Sequence, residues 1–535
     1  LDEVSFNDAD YVELFYSFET NAFEVKLSAV TDPLSSSGHI IRVRTKDNIP
    51  ITLTIELYQG ATLIAGGFNT TPQLSLATDV FTLSSAQADL ITNYADLRIR
   101  VTGGDTNNTG FADGSWIEFE VPDASIAHAF TEQNSAQTTT SGSFVDVTGA
   151  SIASSNFVAD GKYLIYITAQ ISVSAVAPDS RVQVLHGSTS FADSDSAWDT
   201  DTANLYYTYS WFTVWTAVSG EAIKMQFMCD GTNTTAIDQI FMLAVRLEAD
   251  LVENTDWFFA EDAADLSLTT TFQTGATVTF TPGTANDDWL VLTMSQIDPT
   301  SATTGFETRV DRSGEAASTL PTAIQEPSGS SPTGLLVPLA RVFTLGAASN
   351  TLREQSAAVT TAHTRIHSKI FALDMNKFAD HSFVYTEGDT ALSATNYATE
   401  LLAFSHTPAI SRDHWAGLYW GFDVKNIART AEFRLQIDAS DAPAGQTTDN
   451  RQFKPGMAAA DELPLVLSTM ANLSAAAHTL ALQASADSTT GAPAGQQGSL
   501  WALSMGLAAG APPEEGAGGS PVSTFDPVLV SRAWF

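Results

Sequence analysis

Cysteine is almost absent: Cys229 stands alone in a chain of 535 residues. One thiol excludes an intrachain disulfide framework and any cysteine-built zinc cluster. Positive charge is scarce as well. Against 61 Asp plus Glu stand 24 Lys plus Arg, a formal net charge of −37. A polyanion repels phosphate backbones and forfeits the counterion release that dominates nucleic-acid affinity, so nucleic acid is not an expected partner. Anionic lipid headgroups are disfavoured for the same reason. No uninterrupted apolar run approaches the ~20 residues that a membrane span needs, so no membrane insertion is expected and the chain reads as soluble. The chain opens at Leu1 without methionine or a leader pattern, which leaves its compartment open.

Core-forming residues are plentiful. Apolar residues make up 44% of the chain and charged residues only 16%, which argues against disorder as the main state. At roughly 100 to 200 residues per domain, the length predicts about three to five domains. Most apolar segments are short, β-branched or aromatic, and alternate with period two between clusters of Gly, Pro, Asn and Asp. That is a strand pattern. In Ile51-Thr-Leu-Thr-Ile-Glu-Leu57, Ile51, Leu53, Ile55 and Leu57 face one way and the polar residues the other. Leu97-Arg-Ile-Arg-Val101 and Trp116-Ile-Glu-Phe-Glu-Val121 repeat the scheme. Ser84-Ser-Ala-Gln87 has the spacing of a capping box and predicts a short helix. Residues 1–122 therefore read as a small immunoglobulin-like β-sandwich with one helical connection.

An internal repeat of about 130 residues follows, marked by three landmarks in constant order. The first is a turn with an aspartate running into an aromatic-led strand: Asp160-Gly-Lys-Tyr163, Asp288-Trp289 and Asp413-His-Trp415. The second is an alternating strand carrying Arg181, Arg309 or Arg434. The third is a closing strand whose central aromatic is Phe241, Phe371 or Trp501. Three related jelly-roll-like sandwiches over 123–250, 251–378 and 379–507 account for this recurrence, about eight strands in each. After them, residues 508–535 change to an Ala-, Gly- and Pro-rich tether ending in Phe525-Asp-Pro-Val-Leu-Val-Ser-Arg-Ala-Trp-Phe535. Val528, Val530, Trp534 and Phe535 are candidate contacts, either anchoring to a neighbouring component by strand addition or folding back on their own domain. The expected fold is all-β: an immunoglobulin-like sandwich, three tandem jelly rolls and an extended tail.

The first repeat resembles the jelly-roll domain of the C1q and tumour-necrosis-factor families. The likeness lies in Phe157-Val-Ala-Asp-Gly161-Lys-Tyr163, Ser219-Gly-Glu-Ala-Ile-Lys-Met225 and Ile237-Asp-Gln-Ile-Phe241. The second copy keeps Phe280-Thr-Pro-Gly283 and Asp288-Trp289 but lacks the Gly-Tyr pair, and the third departs further. Tandem modules of this kind beside an N-terminal sandwich look like structural proteins of tailed bacteriophages. The resemblance implies a head fibre, decoration or tail-fibre component on the virion surface, acting in assembly and adhesion. It further implies a homotrimer, with an intrachain pseudo-trimer as the alternative, other virion proteins as partners, and a host-surface glycan as a further one. An extracellular or bacterial-surface adhesin and a polysaccharide-degrading enzyme are the competing readings.

Chemistry-bearing motifs are sparse. No phosphate-cradling glycine loop with lysine, Gly-x-Ser-x-Gly elbow or His-Glu-x-x-His pattern occurs, so neither enzyme activity nor a cofactor is expected. His363 and His367 have the spacing of a two-ligand metal motif but no third ligand nearby. Asp193, Asp195, Asp199 and Asp201 crowd four hard oxygen ligands into a loop, a weak calcium candidate against the reading of a solvated acidic loop. In Leu205-Tyr-Tyr-Thr-Tyr-Ser-Trp-Phe-Thr-Val-Trp215, Tyr207, Tyr209 and Trp211 share one face and Tyr206, Phe212 and Val214 the other. Two apolar faces imply burial on both. The first face is therefore the expected subunit or domain interface, with a glycan platform as its rival.

Overall fold

In a computed structural model of the chain, the alternating segments pair as antiparallel strands. The structure describes residues 12–15, 21–27, 39–47, 52–103, 111–121, 126–174, 180–198, 206–229, 233–248, 251–283, 286–300, 305–313, 322–325, 334–359, 363–391, 399–409, 411–423, 431–441, 462–486 and 494–506. The C-terminal tail, and with it Val528, Val530, Trp534 and Phe535, lies outside the described residues.

The N-terminal domain contributes eight strands: Val12–Phe15, Asn21–Lys26, Ile40–Asp47, Leu53–Gln59, Thr62–Thr70, Ala77–Thr82, Leu97–Gly103 and Phe111–Glu120. Taken in that order, the first, eighth, third and sixth form one sheet, and the second, seventh, fourth and fifth the other. The first strand pairs with the last and the second with the last but one. That is the strand order of a jelly roll, and it corrects the immunoglobulin-like expectation, in which four and three strands would group differently. Alternation defines strands and faces, but which strands become neighbours is decided by the loops that cross the ends of the sandwich. The faces follow the pattern. Leu53, Ile55, Leu57, Leu97, Ile99 and Val101 are buried in a core separate from the rest of the chain. Arg98 and Arg100 point outward, where both reach Glu24. The capping box forms at Ser84, whose backbone N–H donates to the Gln87 side chain at 2.9 Å while the Gln87 N–H donates to Ser84 Oγ.

Among the described residues each of the three repeats has the same strand order, the first strand being split in two in the first and second repeats and the fifth in the first. The inner sheet of the first places the third strand, Lys162–Val173, between the eighth, Thr235–Arg246, and the sixth, Tyr206–Thr216. In the second the corresponding strands are Asp287–Asp298, Thr364–Asp374 and Leu335–Leu345, and in the third Arg412–Asp423, Ala494–Ser504 and Glu462–Leu473. The landmarks fall on matching strands. Tyr163, Trp289 and Trp415 lie on third strands, Arg181, Arg309 and Arg434 on fourth strands, and Phe241, Phe371 and Trp501 on eighth strands.

These inner strands are buried on both faces, which explains runs such as Leu335-Leu-Val-Pro-Leu-Ala340 that do not alternate. The third repeat shows where the two faces go. Ala416, Leu418, Trp420, Leu465, Leu467, Leu500 and Ala502 fill its own sandwich. Trp415, Tyr419, Val466, Met470, Trp501, Leu503 and Met505 point the other way and join a core continuous with the first two repeats. Tyr166 of the first repeat packs on Trp415 with ring centroids 5.0 Å apart, and Trp415 meets Trp501 edge-on at 5.9 Å. Two glycines make room for the indoles. Gly417 lies opposite Trp501 and Gly498 opposite Trp420, and a β-carbon on either would come within 2.2 Å of the facing ring. Removing a buried indole from this shared core costs about 3–5 kcal/mol. Trp501→Ala should lower the unfolding free energy of the repeat region by that amount and leave that of the N-terminal domain unchanged, as read by domain-resolved hydrogen exchange.

Candidate assembly interface

Among the described residues three seams join the repeats, each involving the sixth strand of one of them. At the first seam, Lys369 of the second repeat reaches the sixth strand of the first, donating to Thr213 Oγ1 at 3.0 Å and the Phe212 carbonyl at 3.4 Å. Gln296 Nε2 donates to the Asp195 carbonyl at 2.8 Å, and the Leu336 N–H to Ser196 Oγ at 3.3 Å. At the second, the Arg341 guanidinium lies 4.2 Å from the Tyr385 ring centre of the third repeat. At the third, Glu132 of the first repeat accepts from Thr469 Oγ1 at 2.8 Å and from the Met470 N–H at 2.9 Å. Burial pushes the Glu132 carboxyl above its ordinary range, opposed by those two donors. Burial at this seam likewise holds the Tyr166 hydroxyl up at about 12, beside Ser468 at 3.4 Å. Head-to-tail contacts of this kind close into a ring when the third returns to the first, as it does here.

The first residues of the third strands carry polar side-chain contacts at each seam. Asp288 pairs with His381 at 3.3 Å and Asp413 with His128 at 3.4 Å. At the remaining seam, Lys162, two residues after Asp160, pairs with Glu253. The recurring aspartates at 288 and 413 are thus contact residues at the start of their strands.

Tyr209 and Trp211 are fully buried, and their cross-strand partners are Ala169 and Ile167. Directly opposite residues share a face. That face looks into the first repeat's own sandwich, where Trp211 packs on Phe191 at 4.9 Å and the Tyr209 hydroxyl donates to the Ser194 carbonyl at 3.0 Å. The opposite face, carrying Phe212 across from Tyr166, looks towards the third repeat, while Lys369 of the second repeat reaches the Trp211 side, bonding Thr213 and lying 5.2 Å from the Trp211 ring centre. Tyr207 pairs in register with Ile171. Burial on both sides was legible; that each side would meet a different repeat was not.

The acidic loop is engaged in protein contacts. Asp195 pairs with Arg181, while Asp193 accepts from Trp211 Nε1 at 3.0 Å and contacts Lys369. The two carboxylates thus serve different cations. Asp199 and Asp201 lie outside the described residues. His363 packs on Phe306 at 5.7 Å, and His367 approaches Glu261 at 3.7 Å, with burial pushing its imidazole below the ordinary value. A register shift lies between them on the strand, so the pair does not converge. Among the described residues no group of three or more His, Cys, Asp or Glu is arranged around a metal position.

Sequence reasoning passed over several polar groups that organise the interior. Arg365 and Glu354 form a fully buried ion pair in the second repeat at 3.0 Å, with Ser295 donating to the carboxylate at 2.6 Å. Burial pushes the Glu354 carboxyl up, countered by Arg365. A β-carbon on Gly275 would collide with this cluster, which is why that position is glycine. Lys369 had a readable signal: in a chain this poor in positive charge, it stands two residues before a landmark aromatic, at the head of the apolar run Ile370-Phe-Ala-Leu373.

Neither a family model nor a curated protein matches the chain. Among solved structures it is similar to one described as "The Triple Jelly Roll Fold and Turret Assembly in an Archaeal Virus". The identity is 11%, over 71% of this chain and 92% of that one, with a TM-score of 0.16. The jelly-roll assignment rests on the strand orders above.

Beside the third seam, burial pushes the His414 imidazole down to about 4, and its Nδ1 lies 3.0 Å from the Arg412 carbonyl. His406, whose ring centroid is 4.9 Å away, is lowered for the same reason. A histidine held below its unfolded value stabilises the fold above that value, near 6.5, and the contribution disappears as pH falls towards 4. The stability difference between the parent and His414→Gln should therefore narrow steadily from pH 7 to pH 4 in urea titrations. A constant difference across that window would contradict it.

Proposed function

We propose that this chain is a structural protein of a virus particle, displayed at the particle surface, in which three jelly rolls act as a single-chain pseudo-trimer for assembly and adhesion. The observation that carries this reading is the closed ring: three jelly rolls of one strand order meet head to tail and share one buried core. Such an arrangement commits each repeat's inner sheet to its neighbours and leaves the outer sheets and loops for contact with other molecules. A net charge of −37 suits crowded display, because like-charged copies repel one another while local apolar surfaces remain free to bind. The activity assigned is binding, and the partners are other particle proteins and a host-surface glycan.

Light scattering of the purified chain should give a mass near 56.9 kDa, that of one copy. A mass three times greater would overturn the single-chain ring as the assembled unit. Gold-labelled antibodies raised against the repeats should decorate intact particles from a producing culture. Unlabelled particles that retain all their other proteins would sink the surface placement.

A further inference from the structure

We infer that Lys369 and Asp193 are placed to condense into an intramolecular amide bond that covalently staples the second repeat to the first. Lys369 leaves the eighth strand of the second repeat and enters the first with 1% of its side chain exposed. Its Nζ contacts Asp193 Oδ2, lies 5.2 Å from the centre of the Trp211 ring and touches the Phe212 carbonyl and Thr213. Asp193 is itself buried, as is the Trp211 indole beside it. A second carboxylate is at hand. Glu261 Oε2 lies 4.0 Å from Nζ, half its side chain is in solvent, and His367 Nε2 is 3.7 Å from the same oxygen.

The burial sets this pair apart. Among the described ion pairs, the lysines facing Asp113, Asp146, Glu253 and Asp256 keep 31%, 29%, 32% and 44% exposure. The other fully buried pair uses Arg365, whose guanidinium is not a nucleophile at neutral pH. In water an ammonium and a carboxylate do not condense, because hydration stabilises both charges. In a dry site that stabilisation is lost, and passing one proton from ammonium to carboxylate leaves a neutral amine beside a neutral acid. Fixed contact between two such groups is equivalent to about 10⁵–10⁸ M of reactant.

The step balances without an oxidant or co-reactant. The Lys369 amine attacks Asp193 Cγ, and a C–N bond forms. Charge gathers on Oδ2, where the Trp211 Nε1–H already donates at 3.0 Å. Glu261 takes the surplus proton from nitrogen and delivers it to the hydroxyl on the other carboxyl oxygen. The C–O bond breaks, and the pair becomes an amide plus one water.

Intact-mass measurement of the denatured full-length chain tests this. The parent protein should weigh one water less than its sequence, and proteolysis should yield a branched peptide joining the segments of Asp193 and Lys369. Lys369→Arg keeps the charge without a competent nucleophile and should show the full sequence mass. Glu261→Gln should retain a large unlinked fraction after an incubation that converts the parent completely. A parent chain at its full sequence mass would overturn the proposal, as would water loss that persists in Lys369→Arg. Conversion of Glu261→Gln at the parent rate would remove Glu261 from the step.

Discussion

The inner sheets of the three repeats have no face left for water, and the rest of the architecture depends on that constraint. A sandwich normally solvates the outer side of each sheet. Here, indoles, phenyl rings and aliphatic chains stand on both sides of the third and eighth strands, so a repeat in isolation would expose one full apolar sheet face. Closing three such faces on one another removes them all from water at once. The seams are then obliged to satisfy whatever polar groups the closure buries, which accounts for Lys369, Arg341 and Glu132 finding partners in the adjacent repeat.

Polar groups inside the ring differ from seam to seam although the strand order does not. One seam uses a buried ammonium, one a guanidinium over a phenol ring, and one a carboxylate accepting from a hydroxyl and an amide. Single-partner burial of this kind specifies register, since a slipped or exchanged repeat would strand a charge in an apolar environment. Within the second repeat, Arg365 and Glu354 extend the same logic to the sandwich interior.

Much of the all-β class was legible because alternation with period two is a local property. The landmark spacing was legible because each aromatic occupies an equivalent register in its repeat, with Phe241 opposite Thr168, Phe371 opposite Leu292 and Trp501 opposite Gly417. Strand order in the N-terminal domain was not, since pairing first with last is a long-range choice that no local pattern records. The seam was harder still. Trp211 and Phe212 occupy opposite sides of one strand, and what each side meets is set by a repeat distant in the chain: Lys369 beside Trp211, and Trp415 against Tyr166, the cross-strand partner of Phe212. Gly417 and Gly498 look like strand breakers until the indoles that fill their places are known.

A ring built from one chain has threefold shape without threefold chemistry. In a homotrimer every substitution appears three times, and a molecule approaching along the axis meets three equivalent choices. Here each seam is encoded separately, so each can drift, strengthen or acquire a new contact without altering the other two. A partner seated on the axis would find a single preferred rotation and bind in one-to-one stoichiometry.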